Sequence, residues 1–328
     1  SPRDPKTILV GSQGLYVSTD NGATWAERSN GLGAARFELK LDPLDPKKLY
    51  AVVESAGRGT KGLYRSLDMG RHWELVTGDG LDLALDADGV SMYRLMGAEG
   101  ILRSQDGGET WTQLKTPVGG VMNVAADPYR SGRIFVSSYF EGRTSIHFSE
   151  DGGATWWDTS GNTMFDARPF FDHDRGEVVY VSGREQVIRS DDAGKTWAAC
   201  AQLPVRLPQS DSQLAIDPGD SDILIEATRG EGVMFSGDGC KTWQARNEGL
   251  DNLFVNTVAY VIGAEKILYA GTDGGAYLSF DGAENWGVVN EGLLGATVVY
   301  SIVVDPKDSL NAYAATPYGV FKLVSPPS

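Results

Sequence analysis

Short apolar stretches recur along the whole chain, separated by clusters of Gly, Pro, Asp and Ser. Within one period, residues 213–218, 223–227, 232–236 and 242–245 form four such stretches in succession. Runs of this length bounded by turn residues predict short β-strands, and no segment shows sustained helical periodicity. Four strands per period predict a four-stranded antiparallel sheet as the repeating unit.

A second pattern marks the same period. Ser-x-Asp-x-Gly-x-Thr-Trp, or a near relative, begins at Ser18, Ser66, Ser104, Ser149, Ser190, Ser236 and Ser279, and these boxes contain seven of the eight tryptophans. From Asp20 to Asp281 the box aspartates recur at a mean interval of 43.5 residues, the length of one propeller blade. The sequence therefore predicts an all-β fold, a single β-propeller of four-stranded antiparallel blades, with residues 1–328 as one domain.

The predicted strands leave both ends of the chain incomplete. The N-terminal repeat enters at a second strand, residues 7–10, whereas residues 298–304, 312–316 and 319–323 supply a first, a second and a third strand. The predicted total of thirty lies between the totals for seven and for eight complete blades. We favour seven blades, with strands from both termini closing the ring, and keep eight blades as the alternative.

The boxes have a mechanical interpretation that requires no ligand. Asp and Ser side chains bond to nearby backbone amides, Gly takes the positive φ of a tight turn, and Trp packs between neighbouring sheets. Four departures from the pattern, His72, Cys240, Ala283 and Asn285, favour this structural role over a metal or catalytic site.

The boxes, with "Asp-Pro…Leu-Tyr-Ala" before them and "Gly-Leu-Tyr-x-Ser" leading into them, resemble the Asp-box (BNR) repeats. Such repeats occur in sialidases, two-propeller xyloglucanases, sortilin-type receptors and the photosystem II assembly factor family. The resemblance covers nearly the whole chain. It implies a propeller, but it does not select a chemistry, because hydrolases, receptors and assembly factors share this scaffold.

Composition narrows the classes of partner. The chain has 44 acidic and 29 basic residues, a net charge of −15 and no basic tract, so we expect neither nucleic acid nor an anionic membrane as partner. No apolar run of 18 or more residues is present, and we expect no transmembrane segment. The start at Ser1-Pro2-Arg3 fits either a trimmed export signal or an artificial start. We expect an extracellular or periplasmic location.

Metal, cofactor and disulfide chemistry have little support. Cys200 and Cys240 lie in neighbouring repeats, and the sequence favours small buried apolar residues there over a disulfide, which stays an alternative. Three His without metal-binding spacing and no Cys-x-x-Cys lead us to expect neither metal nor cofactor. Six aspartates end inner strands, and we interpret them as turn residues rather than as a metal ring: Asp42, Asp86, Asp127, Asp172, Asp217 and Asp305.

The candidate binding residues lie on the opposite face, where loops join second to third strands and outer to next inner strands. Two of these loops, residues 138–143 and 162–168, are long, and we expect them to stand near each other. Arginines and aromatics are enriched in binding surfaces. The candidates for a protein or glycan partner are Tyr139, Phe140, Arg143, Phe165, Arg168, Arg184 and Arg229. The corresponding rim loops add Arg36, Glu54, Arg58, Lys61, Glu185, Arg206, Glu231, Phe254 and Tyr318.

The sequence is compatible with two main functions, a glycoside hydrolase and a non-catalytic binding protein. A sialidase needs an arginine cluster, a Tyr-Glu pair and an Asp acid/base, and the resemblance places none of them. The residues of the repeats resemble those of xyloglucanases more closely, but those enzymes work in the cleft between two propellers and this chain has one. We favour a non-catalytic exported propeller with an assembly or scaffold role, which binds a protein or glycan partner. A glycoside hydrolase is the main alternative, ahead of a lyase or a redox-chain accessory subunit, and no residue is assigned a catalytic role.

Overall fold

The structure is a computed structural model that describes residues 8–11, 15–20, 24–28, 35–42, 44–45, 47–56, 61–78, 80, 82–117, 119–140, 143–158, 168–172, 176–183, 186–203, 213–261, 266–290, 293, 298–304, 312–316 and 319–323. Within these residues the regular elements are thirty β-strands and a 3-10 turn at Gly97–Glu99. The all-β prediction is confirmed.

The chain divides into two compact units, residues 1–169 and 170–328. The strands of the first unit are β1 (Ile8–Gly11), β2 (Leu15–Ser18), β3 (Ala26–Glu27), β4 (Ala35–Leu41), β5 (Leu49–Ala56), β6 (Gly62–Ser66), β7 (Glu74–Thr77), β8 (Asp82–Leu85), β9 (Met92–Leu95), β10 (Ile101–Ser104), β11 (Thr112–Leu114), β12 (Val121–Ala126), β13 (Ile134–Phe140), β14 (Arg143–Ser149) and β15 (Trp157–Asp158). They form one three-stranded and three four-stranded antiparallel sheets.

The second unit continues in the same way, although its first strand begins just before the boundary. Its strands are β16 (Arg168–Phe171), β17 (Val179–Ser182), β18 (Val187–Ser190), β19 (Ala198–Ala199), β20 (Gln213–Asp217), β21 (Asp220–Thr228), β22 (Gly232–Ser236), β23 (Gln244–Ala245), β24 (Val255–Tyr260), β25 (Leu268–Thr272), β26 (Gly275–Ser279), β27 (Gly287–Val288), β28 (Ser301–Val304), β29 (Ala312–Thr316) and β30 (Gly319–Leu323). They form three four-stranded sheets and one three-stranded sheet.

Each sheet is a meander in which strands adjacent in sequence are paired. Within the first unit the first strands of successive sheets, β4, β8 and β12, contact one another, and β20, β24 and β28 do so in the second. The middle strands β25 and β26 are buried along their whole length because sheets cover both of their faces. The core therefore lies between the sheets, as predicted for stacked blades.

Within the described residues the terminal sheets each have three strands: β1 to β3 pair among themselves, and so do β28 to β30. These described strands agree with the predicted incomplete repeats at the two ends. Closure into seven blades by strands of both termini stays a prediction, as does the assignment of residues 1–328 to one domain.

The boxes form the predicted turns. In the third repeat, Ser104 Oγ accepts the N–H of Gly108 at 2.9 Å, and Asp106 Oδ1 accepts the N–H of Thr110 at 2.9 Å. The hydroxyl of Thr110 donates to Asp106 Oδ2 at 2.5 Å. This bond and the backbone bond from the same residue lower the pKa of Asp106 to about 2.

The departures from the box pattern keep its hydrogen bonds. His72 Nδ1 lies 2.6 Å from Asp68 Oδ2, and Asn285 Nδ2 donates to Asp281 Oδ2 at 2.8 Å, each in the place of the Thr hydroxyl. Cys240 and Ala283 replace Gly and adopt φ of 69° and 70°. The structural interpretation of the boxes is confirmed.

The structure corrects the prediction made for the two cysteines. Cys200, just after β19, and Cys240, in the box of the next repeat, form a disulfide with a Cα–Cα distance of 5.1 Å. The backbone explains the proximity, because the N–H of Ala201 donates to the carbonyl of Cys240 at 2.9 Å. The prediction that both are small buried apolar residues is wrong, since this contact between consecutive repeats holds the two side chains within bonding reach.

The inner-strand aspartates are turn residues, as predicted. Asp42 Oδ1 accepts the N–H of Leu44 at 2.8 Å, and Asp127 Oδ1 accepts that of Tyr129 at 2.8 Å. In the same way, Asp86 Oδ1 accepts the N–H of Asp88, and Asp217 Oδ1 accepts the N–H of Gly219. Asp172 is buried at the corresponding position, and Asp305 lies outside the described residues.

Candidate partner-binding face

The meander places two kinds of turn at opposite ends of each sheet. The boxes join third to fourth strands at one end, whereas the hairpins between second and third strands lie at the other. Tyr139 is the penultimate residue of the second strand β13 and Arg229 directly follows the second strand β21, so both lie at the hairpin end. We call this end the hairpin face, and it is described separately for each unit.

In the first unit the hairpin of β13 and β14 carries three candidates. The register pairs Tyr139 with Thr144 and Phe140 with Arg143. The N–H of Tyr139 donates to the carbonyl of Gly120 at 2.8 Å, and its side chain is 44% exposed. The side chains of Phe140 and Arg143 lie outside the described part of the structure.

A β-bulge adds a residue that sequence reasoning missed. Val121 pairs with Ser138 and Asn123 with Ser137, so Met122 is the extra residue of the bulge. Bulges change the direction in which a side chain points, and Met122 is 50% exposed beside the Tyr139 hairpin. The available signal was the pair of apolar residues Val121-Met122 after Gly119-Gly120, at the start of an inner strand.

A buried polar chain supports this hairpin. Ser138 Oγ lies 2.7 Å from Ser145 Oγ, which lies 3.0 Å from His147 Nε2. Asp158 Oδ1 is 3.8 Å from His147 Nδ1. Burial lowers the pKa of His147, and the nearby Asp158 opposes that shift. A Ser, a His and an Asp in this order could activate a hydroxyl, but His147 and Ser138 are buried, and the hydrogen bonds through Ser145 join β13 to β14.

In the second unit the structure brings Arg229 and Phe254 together. They form an isolated antiparallel bridge between the β21–β22 hairpin and the segment that enters β24. The N–H groups of Gly230 and Gly232 both donate to the carbonyl of Leu253 at 2.9 Å. Arg229 and the Phe254 ring are exposed, so a fixed backbone presents a cation and an aromatic ring.

The remaining candidates are only partly placed. Arg168 opens β16 and is exposed. Phe165 and Arg184 lie outside the described residues, as does most of the 162–168 loop. The expected meeting of that loop with the Tyr139 hairpin therefore stays a prediction.

Two open cavities of the second unit lie on the side of the outer strands and boxes. One of about 570 Å³ is lined by Arg246, Glu248 and Glu284 among others, and one of about 320 Å³ by Phe280 and Trp286 among others. In the described part of the chain, no three His, Cys, Asp or Glu side chains are grouped to hold a metal ion. Nor does that part contain a helix with the length and apolar character needed to cross a membrane.

Comparison with known proteins agrees with this geometry. A family model for the BNR/Asp-box repeat matches residues 16–27. The solved structure of YCF48 from Cyanidioschyzon merolae is similar with a TM-score of 0.58 and 16% identity, covering 97% of this chain and 98% of that one. The chain has a β-propeller fold and contains the BNR/Asp-box repeat.

Other solved structures are similar over different shares of their length. A structure of YCF48 bound to D1 peptide has a TM-score of 0.59 and 14% identity, covering 98% of this chain and 96% of that one. The GH74 enzyme of Niastella koreensis has a TM-score of 0.50 and 16% identity, covering 96% of this chain but 55% of that one. At such identities the likeness shows the fold alone.

One curated relative is an oligoxyloglucan reducing end-specific xyloglucanase of Emericella nidulans. It is 20% identical over 192 residues, which cover 40% of this chain and 24% of the relative. This Asp-box propeller thus matches about a quarter of the relative's length.

Proposed function

We propose that this Asp-box propeller is a non-catalytic binding protein that holds a partner protein on its hairpin face. The observation that carries the proposal is the rigid presentation of exposed side chains there. Tyr139 and Phe254 are about half exposed, yet the main chain of each is hydrogen-bonded to a neighbouring segment. Aromatic side chains held in this way lose little conformational entropy when they are buried against a partner.

One of the similar solved structures supports the same proposal. The chain covers 96% of the structure of YCF48 bound to D1 peptide, with a TM-score of 0.59. The D1 peptide is the partner of that neighbour, and at 14% identity its identity does not extend to this chain.

A glycoside hydrolase is the second candidate, because the curated relative is a xyloglucanase. Hydrolysis by the usual two-carboxylate mechanism requires a pair of carboxylates about 5–9.5 Å apart around the scissile bond. Release of reducing sugar from xyloglucan oligosaccharides by the purified chain would favour this candidate over the binding protein.

The disulfide supports an exported protein. Disulfides persist in oxidising compartments and are rare in the cytosol. We therefore propose an extracellular or periplasmic location, in which the bond between Cys200 and Cys240 would be maintained.

The test is affinity capture of partner proteins by the immobilised chain, with variants of the first unit. Tyr139→Ala combined with Arg168→Ala should weaken retention of the captured protein by about 1 kcal/mol or more, as for interface hot spots. Leu67→Ala is the matched control, because Leu67 is an exposed apolar residue at the box end of the same unit. Equal retention by all three proteins would contradict binding at the hairpin face.

A further inference from the structure

The β21–β22 hairpin and the segment before β24 form a rigid platform for one aromatic ring. The N–H groups of Gly230 and Gly232 donate to the carbonyl of Leu253. In addition, the N–H of Phe254 donates to Asn252 Oδ1 at 2.8 Å. The ring approaches Gly230, whose φ of +130° favours glycine. Phe254 is nevertheless 51% exposed, so a hydrogen-bonded backbone presents a half-exposed ring.

The next hairpin places a carboxylate and a second ring beside this platform. The N–H of Asp273 donates to the carbonyl of Phe254 at 3.0 Å, and the N–H of Val299 donates to that of Thr272 at 2.8 Å. The β25–β26 turn is thus tied on both sides. Tyr300 follows Val299 directly and is 55% exposed.

Asn256 fixes the carboxylate between the two segments that carry these rings. It is the extra residue of a bulge in β24, and its Nδ2 donates both to Asp273 Oδ1 at 2.8 Å and to the carbonyl of Val299 at 3.1 Å. Asn256 thereby holds Oδ1 of Asp273, next to the backbone of Phe254 on one side and of Val299, which precedes Tyr300, on the other.

The charges around the rings are predominantly negative. Among the described residues of these loops, Glu231 and Asp251 are exposed and Asp273 is half-buried, against one exposed cation, Arg229. The described ion pairs of this unit join Arg189 to Asp191 and Asp222, and Arg246 to Glu284, so none of them includes these three acids. We call the set the acidic rim and define it by Arg229, Glu231, Asp251, Phe254, Asp273 and Tyr300.

We propose that the acidic rim binds an arginine-bearing segment of a partner protein. A guanidinium group stacks on an aromatic face and bonds to a carboxylate with two N–H groups, and the rim offers both within one fixed surface. The net charge of −15 attracts a basic partner during encounter, whereas an acidic segment would meet three like charges. The inference rests on the proposed binding function and names the chemistry of the partner.

The experiment measures binding of a fluorescein-labelled (Gly-Arg)4 peptide to the full chain by fluorescence anisotropy. A (Gly-citrulline)4 peptide keeps the shape without the charge, and a (Gly-Glu)4 peptide reverses it. We expect the arginine peptide to bind, Phe254→Ala to weaken it about tenfold, and Asp273→Asn about threefold. Thermal unfolding of each variant confirms that the fold is retained.

Phe280→Ala is the matched control. Phe280 lies in the same sheet and is 49% exposed, but at the box end. Equal weakening by Phe254→Ala and Phe280→Ala would show general attraction to an acidic protein and would overturn the proposal, and so would equal binding of the citrulline peptide.

The outcomes separate this inference from the proposed function. If (Gly-Glu)4 binds and Phe254→Ala abolishes that binding, the hairpin face binds peptides but the basic partner is wrong. If no peptide binds while capture through Tyr139 and Arg168 persists, the inference fails and the binding function stands. If no peptide binds and no partner protein is retained through Tyr139 and Arg168, the binding function is rejected as well.

Discussion

Trp286 donates its indole N–H to the backbone carbonyl of Arg246, forty residues earlier, at 3.0 Å. The main-chain N–H of Trp286 also donates to the carbonyl of Glu248 at 2.9 Å. In return, the guanidinium of Arg246 donates to the carbonyl of Gly282 at 2.6 Å. The box of one repeat is thus hydrogen-bonded to the outer strand of the repeat before it, in addition to the apolar packing of the Trp ring.

Trp286→Ala should therefore lower the free energy of unfolding by about 3–5 kcal/mol, because Trp286 is buried in the core between two sheets. Urea unfolding followed by circular dichroism measures the loss. Trp111→Ala is the comparison, because Trp111 is partly exposed and its indole bonds to Gly108 of its own box. An equal cost for the two variants would contradict the interlocking role of Trp286.

The box aspartates predict a loss of stability in acid. Hydrogen bonds from the following Thr side chain, the largest cause, lower the pKa of Asp20, Asp106 and Asp151 from 3.8 to about 2. A carboxyl group with a lowered folded-state pKa stabilises the fold above its unfolded pKa, and this contribution is lost as the pH falls toward the folded-state pKa. Stability from the boxes should therefore be constant above about pH 5 and fall between about pH 4 and pH 2.

Urea midpoints across that range check this expectation. Asp106→Asn should be less stable than the parent protein at neutral pH and should show a shallower decline in acid, since it removes one of the titrating groups. A decline of unchanged steepness in this variant would assign acid unfolding to other carboxyl groups.

The sequence predicted repeated structure well and individual contacts poorly, for physical reasons. The strand run from Gln213 to Ala245 follows local turn and apolar patterns, which one repeat already contains. The Met122 bulge depends on how β12 pairs with β13, and the Cys200–Cys240 bond depends on how two repeats pack, so neither follows from local pattern. On the hairpin face, Arg229 and Phe254 were each singled out, but their pairing required the contact between a hairpin and the next inner strand.

The disulfide should stabilise the second unit. It closes a loop of 40 residues, for which the loss of unfolded-state entropy corresponds to about 2–4 kcal/mol. Adding reductant should lower the unfolding midpoint of the parent protein. Cys200→Ala combined with Cys240→Gly is the control: glycine accepts the φ of 69° at residue 240, and the variant should be unaffected by reductant. A midpoint that does not respond to reductant in the parent protein would contradict the bond.

The buried His147 predicts a second, milder dependence on pH. Burial, the larger effect, lowers its pKa below the ordinary 6.5, so the folded protein keeps His147 neutral where the unfolded chain binds a proton. Below about pH 6.5 the unfolded state therefore holds more protons, and stability should fall as the pH drops, whereas it should be unaffected by His147 at higher pH.

Unfolding midpoints between about pH 7.5 and pH 5 test this, with His147→Gln as the comparison because its amide can still bond to Ser145. The variant should lose part of the slope below about pH 6.5 while remaining folded. Since His147 supports the β13–β14 hairpin through Ser145 and Ser138, acid should also weaken partner retention through Tyr139 in the parent protein more than in the variant. Identical slopes in the two proteins would mean that His147 is protonated equally in the folded and unfolded states.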